Sequence, residues 1–285
     1  MIFFELPDSF VNRPVNIQLI KMMRLKPHLF YDNVRIEAVF GCPPFCIWNC
    51  GSVHLPMENI SLENIEKIFD VYEAIEIPYR LTFSNRLLEK KHLLDVYGNA
   101  IAKAGNRLGN AVIVSMDIME EYMLRTYKKY TIIQSLCRVY NTFKEVDIAT
   151  SNYLACVPIW MNNDWDLLSK LKHPENVIIL ANEYCPVSKC RYCKEHYDEI
   201  SRFALLQSKE HYQCKHIAWK IELEKNNYLP SHNITPTDYK KYDLMGIHHF
   251  KLNGRASTKR QIIDMYCNYF AKEEYYNEVY NLLIQ

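Results

Sequence analysis

Short runs of apolar, often β-branched residues alternate along this chain with amphipathic stretches. The runs are Arg35–Phe40, Tyr79–Phe83, Ala111–Ser115, Thr131–Ser135, Ala155–Ile159, Val177–Ala181 and Ile247–Leu252. Most are near-continuously apolar, the pattern of parallel strands covered on both faces. Between them, Leu62, Ile65, Ile68, Phe69, Tyr72 and Ile75 recur at helical spacing behind Ser61, a favoured N-cap. A second stripe, Leu93, Leu94, Tyr97, Ala100, Ile101 and Ala104, is stopped by Gly105. Further helices are expected over Met116–Tyr127, over Asp164–Leu171 behind Asn162 or Asn163, and over Asp238–Leu244, entered through Thr235-Pro236.

Strand–helix alternation repeated six or seven times predicts an α/β fold with a parallel sheet. A TIM-like (β/α) barrel, closed or nearly closed, fits better than an open doubly wound sheet. No glycine-rich turn of the dinucleotide-binding type follows any strand, and the chain has only seven glycines. Its 285 residues match the length of one such barrel, so a single domain over residues 1–285 is expected. Residues 205–233 are polar, lysine-rich and poor in strand signal. They read as an excursion from the barrel after the sixth strand.

Composition changes this picture little. Hydrophobic residues make up 49% of the chain and charged ones 24%, and 34 basic side chains nearly balance 33 acidic ones. A net charge of +1 gives no long-range attraction for nucleic acid or an anionic membrane. The opening MIFFELPDSF has neither the basic start nor the cleavage site of a secretory leader, and no apolar stretch is long enough to span a bilayer. The expectation is a cytoplasmic protein without membrane contact. In that compartment ten cysteines are poor candidates for disulfides. Cys137, Cys156 and Cys267 stand singly among apolar neighbours and read as core.

The chemistry-bearing segment is VIILANEYCPVSKCRYCKEHYDEISR. After the strand Val177–Ala181 come Cys185, Cys190 and Cys193, with four and two residues between them, and Cys214 lies 21 positions further on. The loop after a barrel strand opens on the face where chemistry is built. Three thiols there, with no oxidising compartment to pair them, point to metal ligation. Spacing leaves three readings open: a [4Fe–4S] cluster, a zinc site, or plain structural thiols. One triplet joined to one distant cysteine favours the cluster over the paired doublets of a zinc ribbon. A second group, Cys42, Cys46 and Cys50 in GCPPFCIWNCG, follows the first run. Its gaps are three and three, where the radical-SAM pattern has three and two. Cys42 or Cys46 is an alternative to Cys214 as fourth ligand.

Three stretches resemble the collagenase-like peptidase family and its relatives. NEYC with CRYCKEHYDEIS is similar to that family's cysteine-bearing loop, GIHHFKLNGR to its late strand, and CIWNCG followed by RLTFSN to the loops after its first two strands. The likeness covers roughly residues 35–270. It implies a barrel that binds one [4Fe–4S] cluster through four cysteines and, in characterised members, hydroxylates without molecular oxygen. The chain departs from the pattern in two respects. Its four cysteines are more closely spaced, and Asn253 stands where many members carry an acid. Proteolysis gains no support, because no Ser-His-Asp, Cys-His or HExxH arrangement has the required spacing.

Arg80 and Asn85, at and after the second run, and Lys251 and Arg255, ending the last, are candidates to orient an anionic small molecule or nucleobase. The competing role for the cations is to neutralise barrel acids such as Glu37. Of His248 and His249, only one can face the barrel interior. Two functions follow from these residues. One is an iron–sulfur oxidoreductase or hydroxylase. The other is a non-catalytic partner or scaffold whose metal pins the excursion to the barrel.

Overall fold

The computed structural model describes the chain except residues 51–59, 184, 186, 188, 191, 209–213, 215, 217–231, 255 and 256. Most of the 205–233 excursion therefore lies outside the described residues, and so does Arg255. Eight parallel strands close into a barrel in chain order. They are β1 (Ile2–Leu6), β2 (Val34–Gly41), β3 (Tyr79–Phe83), β4 (Ala111–Val114), β5 (Thr131–Gln134), β6 (Leu154–Cys156), β7 (Val177–Leu180) and β8 (His249–Lys251). The expected TIM-like barrel is what the chain forms.

The pattern reading passed over β1. IFFEL is near-continuously apolar, but its Glu5 breaks the run, and that carboxylate is fully buried. Two numbering corrections follow. The loop with Cys42–Cys50 follows the second strand, and the Cys185–Cys193 segment follows the seventh. Closure also runs through β1, which pairs with both β2 and β8. The last strand therefore lies beside Ile2–Leu6. Strand β6 ends at Cys156 instead of continuing to Ile159, because Pro158 has no N–H to give the ladder.

Helices pack outside the strands. Ser61 accepts from Asn64 N and caps Leu62–Ala74 as expected. The helix Val96–Ala104 stops at Gly105, but not through a left-handed turn, since φ there is −86°. A Cβ at Gly105 would lie 2.4 Å from the Tyr130 hydroxyl and 2.8 Å from Phe69, so close approach explains the glycine. The expected Asp164–Leu171 helix shrinks to Trp165–Leu168, and its cap is Asp164 rather than Asn162 or Asn163. The helix expected over Asp238–Leu244 begins at Tyr239, after a short 3-10 turn capped by Thr235. Helices Arg13–Leu25, Phe143–Asn152, Lys259–Phe270 and Tyr276–Ile284 were not expected from periodicity. No described helix is long and apolar enough to cross a membrane.

Alternation along the strands sorts side chains into two cores. Ile2, Phe4, Leu6, Val112, Val114, Val177, Ile179 and Phe250 join the helices in the larger, outer one. Phe40, Ala111, Ile113, Ile133, Cys156, Ile178 and Leu180 fill the barrel between β2 and β7. On the β8–β1–β2–β3 side the interior also holds an ionic network. Arg80 there binds Glu5 and stands 3.4 Å from Glu37, while His249 Nδ1 lies 2.9 Å from Glu37.

Candidate functional site

The C-terminal ends of β7 and β8 are stitched together by side-chain amides. Asn182 donates to the Asn253 carbonyl at 2.8 Å, and Asn253 N donates back to Asn182 at 2.6 Å. The Asn253 amide donates to Glu183 at 3.3 Å, and the other Glu183 oxygen accepts from Cys185 N at 3.1 Å. Asn253 thus pairs with an acid, Glu183, in the segment that follows β7. Glu183 fixes where the cysteine loop leaves the barrel.

The four cysteines of the candidate centre are all half-buried. Burial pushes the Cys185 thiol up to about 11, and Glu183, Cys190 and Cys214 add to that against a backbone hydrogen bond at Val187. Burial also lifts Cys193 to about 12, with Cys185, Cys190 and Glu183 adding to it and a hydrogen bond to Cys190. Cys185 thus interacts with Cys190 and Cys214, and Cys193 with Cys185 and Cys190. Two of them sit in turns that aim a backbone N–H at sulfur. Tyr192 N donates to Cys190 and His216 N to Cys214, both at 3.4 Å. Cys193 is the first residue of the helix Cys193–Ala204, whose N-terminal partial charge favours a thiolate.

Sulfur is the donor type that zinc and iron–sulfur centres use, and a bound cation would offset the burial that holds these thiols protonated. Among the described residues, however, no group of three or more His, Cys, Asp or Glu side chains is drawn together tightly enough to hold an ion as placed. Each sulfur hangs on one rotatable bond, so a change of rotamer re-aims it without moving the backbone.

The second cysteine group behaves differently. Cys42, Cys46 and Cys50 are fully buried. Cys42 is raised by burial and by a hydrogen bond and charge interaction with Cys46. Both interact with Tyr97, which belongs to the outer helix layer. Cys50 contacts the Tyr197 carbonyl and Ser201 on the helix that Cys193 begins. Trp48, between them, is fully buried and donates to the His92 carbonyl at 2.7 Å. This loop is packed into the outer core. Cys137, Cys156 and Cys267 are buried, as expected of core thiols.

Arg80, Asn85 and Lys251, expected to orient an anion, have other partners. Arg80 is held by Glu5 and Glu37, which outweigh the cost of its burial and raise its pKa. Lys251 Nζ lies 3.7 Å from Glu5 and 3.7 Å above the Phe40 ring. Asn85 donates to the Ile47 and Ser201 carbonyls at 2.8 and 3.2 Å and accepts from Leu87 N. With Arg86 Nε on Asp198 at 2.8 Å, it fastens the Cys193 helix to the loop after β3. His249 is the inward-facing histidine of its pair, and His248 turns out to Asp243. Arg255 lies outside the described residues.

Beside the cysteine loop the structure has a cleft of about 460 Å³ that the sequence reading did not find. Trp160, Asn162, Asn163, Asp164, Trp165, Asp166 and His232 line it. It opens beyond β6 and β7, on the face where barrel enzymes do their chemistry. Lys189 of the cysteine loop lies 5.1 Å over the Trp160 ring, so loop and cleft adjoin. Periodicity gave no signal for it. Asn162 and Asn163 read only as helix caps, and His232 falls within the 205–233 excursion.

No protein-family model matches the chain, and no curated protein matches it in sequence. Among solved structures, the U32 peptidase Mk0906 is similar over 90% of this chain and 95% of its own, with a TM-score of 0.56 at 10% identity. That likeness is one of fold. The apo form of the E. coli 3-keto-D-glucoside 4-epimerase YcjR aligns over 100% of this chain and 99% of its own, with a TM-score of 0.31 at 10% identity. That score is too low to carry an argument.

Proposed function

We propose that this protein is an iron–sulfur oxidoreductase that holds a [4Fe–4S] cluster on Cys185, Cys190, Cys193 and Cys214. In the same reading it acts as an oxygen-independent hydroxylase on a small molecule or nucleobase. What supports the reading is the interaction of Cys185 with Cys190 and Cys214, and of Cys193 with Cys185 and Cys190, in the segment that follows a barrel strand. Backbone N–H groups already directed at Cys190 and Cys214 are what tunes a sulfur-ligated centre. A bound cluster would supply one-electron transfer. The chain's part would be to fix the loop through Glu183 and Asn253, hold the Cys193 helix through Asn85 and Arg86, and receive substrate beside Lys189. Fold likeness to a U32 peptidase fits this reading without requiring peptidase activity.

A second reading, a scaffold with a structural zinc, is favoured by one observation. Arg80 and Asn85 are occupied by protein partners, so neither stands ready for a substrate anion. Anaerobic purification and absorbance spectroscopy separate the two. A cluster gives a broad band at about 400 nm that bleaches on reduction by dithionite, whereas zinc gives none.

A further inference from the structure

The helix that begins with Cys193 has an unusual seat. It runs 12 residues, Cys193–Ala204, and its one buried side chain is Ser201, which is polar. The helix Lys259–Phe270 has the same length and buries seven side chains, all but one of them large and apolar. No side chain caps the Cys193 helix at Tyr192. Apolar burial therefore does less here than in Lys259–Phe270 to fix how the helix is turned and how far it reaches toward the other thiols.

Polar contacts from Arg86, in the loop after β3, supply that restraint. Its backbone N–H donates to Ser201 Oγ at 3.0 Å, and its Nε donates to Asp198 at 2.8 Å. Both side chains of the ion pair are sheltered, at 13% and 17% exposure, so water and salt screen it less than a surface pair. The same guanidinium donates to the Cys137 carbonyl, in the 3-10 turn Leu136–Arg138 that follows β5. Arg86 is thus a strut between that turn and the helix. Asp198 and Ser201 stand about 7.5 and about 12 Å along the axis from Cys193, at the rise of an α-helix. Two points held at different heights on a stiff helix set its rotation and its advance together, and these decide where the Cys193 sulfur stands. Cys185 has a different anchor, since its backbone N–H is held by Glu183 at 3.1 Å.

We infer that Arg86 is a positioning residue for the thiol centre, holding the Cys193 helix through Asp198 and Ser201 so that Cys193 stands beside Cys185 and Cys190. Its consequence for metal rests on the proposed function, because a displaced Cys193 leaves the centre one ligand short. The two halves of the centre are separable by mutation, Cys193 depending on Arg86 and Cys185 on Glu183. A lysine at position 86 keeps the charge but not the planar fork that reaches Asp198 and the Cys137 carbonyl at once.

The test compares wild type with Arg86→Met, Arg86→Lys and Asp198→Asn in the full chain. The first readout needs no metal. Reduced, chelator-treated protein is alkylated with iodoacetamide, and the rates at Cys193, Cys185 and the core thiol Cys267 are followed by peptide mass spectrometry. Cys193 should react roughly fivefold faster or more in Arg86→Met and at an intermediate rate in Arg86→Lys, with Cys185 and Cys267 within about twofold of wild type. If Arg86→Met does not fold, Arg86→Lys and Asp198→Asn decide the same question through milder changes. The second readout is zinc(II) affinity by chelator competition, which should weaken roughly tenfold or more in Arg86→Met and less in Arg86→Lys. An unchanged Cys193 rate or an unchanged zinc affinity overturns the inference. So does equal acceleration of all three thiols in the milder variants, which marks general loosening rather than lost position. A wild type that binds neither iron nor zinc ends the metal reading alone, and the alkylation rates still decide whether Arg86 places Cys193.

Discussion

Removing the Arg80 guanidinium should destabilise the barrel far more than a surface change, because two buried acids depend on it. Glu5 is fully buried and bonded to Arg80, and Glu37 lies 3.4 Å from it. In Arg80→Met the carboxylates stay in place. Glu5 keeps only Lys251 at 3.7 Å, beyond hydrogen-bonding distance, and Glu37 keeps His249 at 2.9 Å. Breaking a buried pair from one side costs about 3–5 kcal/mol. The surviving partners place this case near about 3 kcal/mol, a fall in Tm of roughly 6 °C or more. Pairing the change with Glu5→Leu removes the stranded charge and should recover more than about 1 kcal/mol of that loss. Urea unfolding of the wild type, both single variants and the double variant measures the coupling. Arg80→Met within about 1 kcal/mol of wild type, with no coupling to Glu5, would refute the interior ionic network and free Arg80 for substrate.

The same network sets an acid limb. Burial pushes the Glu37 carboxyl up, but the His249 hydrogen bond and the Arg80 charge outweigh it, so its pKa falls below the ordinary 4.5. A depressed carboxylate pKa adds stability above its unfolded value, and that stability is lost as pH falls through the folded one. Glu37→Gln should therefore flatten the decline in urea midpoint below about pH 4.5, and an unchanged decline counts against the pairing. At Gly98, a Cβ would stand 2.7 Å from the buried Trp48 ring. Alanine there gains about 1 kcal/mol of helix propensity and loses about 1–3 kcal/mol to overpacking. A net loss in thermal melts is expected, and a gain would place Trp48 elsewhere. Cys190→Ala should lose bound metal and lower Tm together, because metal affinity is then part of folding free energy. Metal loss at constant Tm would make the site preformed.

Periodicity revealed most of the barrel because parallel strands buried on both faces leave apolar runs that nothing else in the chain imitates. It failed where a strand carries a charge. Glu5 hides β1, since its partner Arg80 lies 75 residues away and no local pattern announces the pair. The cysteine loop stood out for the opposite reason, as clustered thiols that follow a strand, and its position after β7 is the part that the fold bears on. Arg80 and Asn85 stood at the expected strand end, yet sequence could not show that protein groups already occupy them. The cleft was invisible because His232 lies 70 residues from Asn162 and Trp165 shares the Asn162 segment only as part of a short helix. Each has an ordinary local role, and only the fold brings them together.

The central claim is that Cys185, Cys190, Cys193 and Cys214 hold one cluster, and counting iron, acid-labile sulfide and zinc per chain after anaerobic purification tests it most directly. The account predicts about four irons and about four sulfides per chain. It also predicts that Cys185→Ser, Cys190→Ser, Cys193→Ser and Cys214→Ser each lose them while Cys42→Ser retains them. One zinc per chain without sulfide, or iron that persists in all four variants, would contradict it.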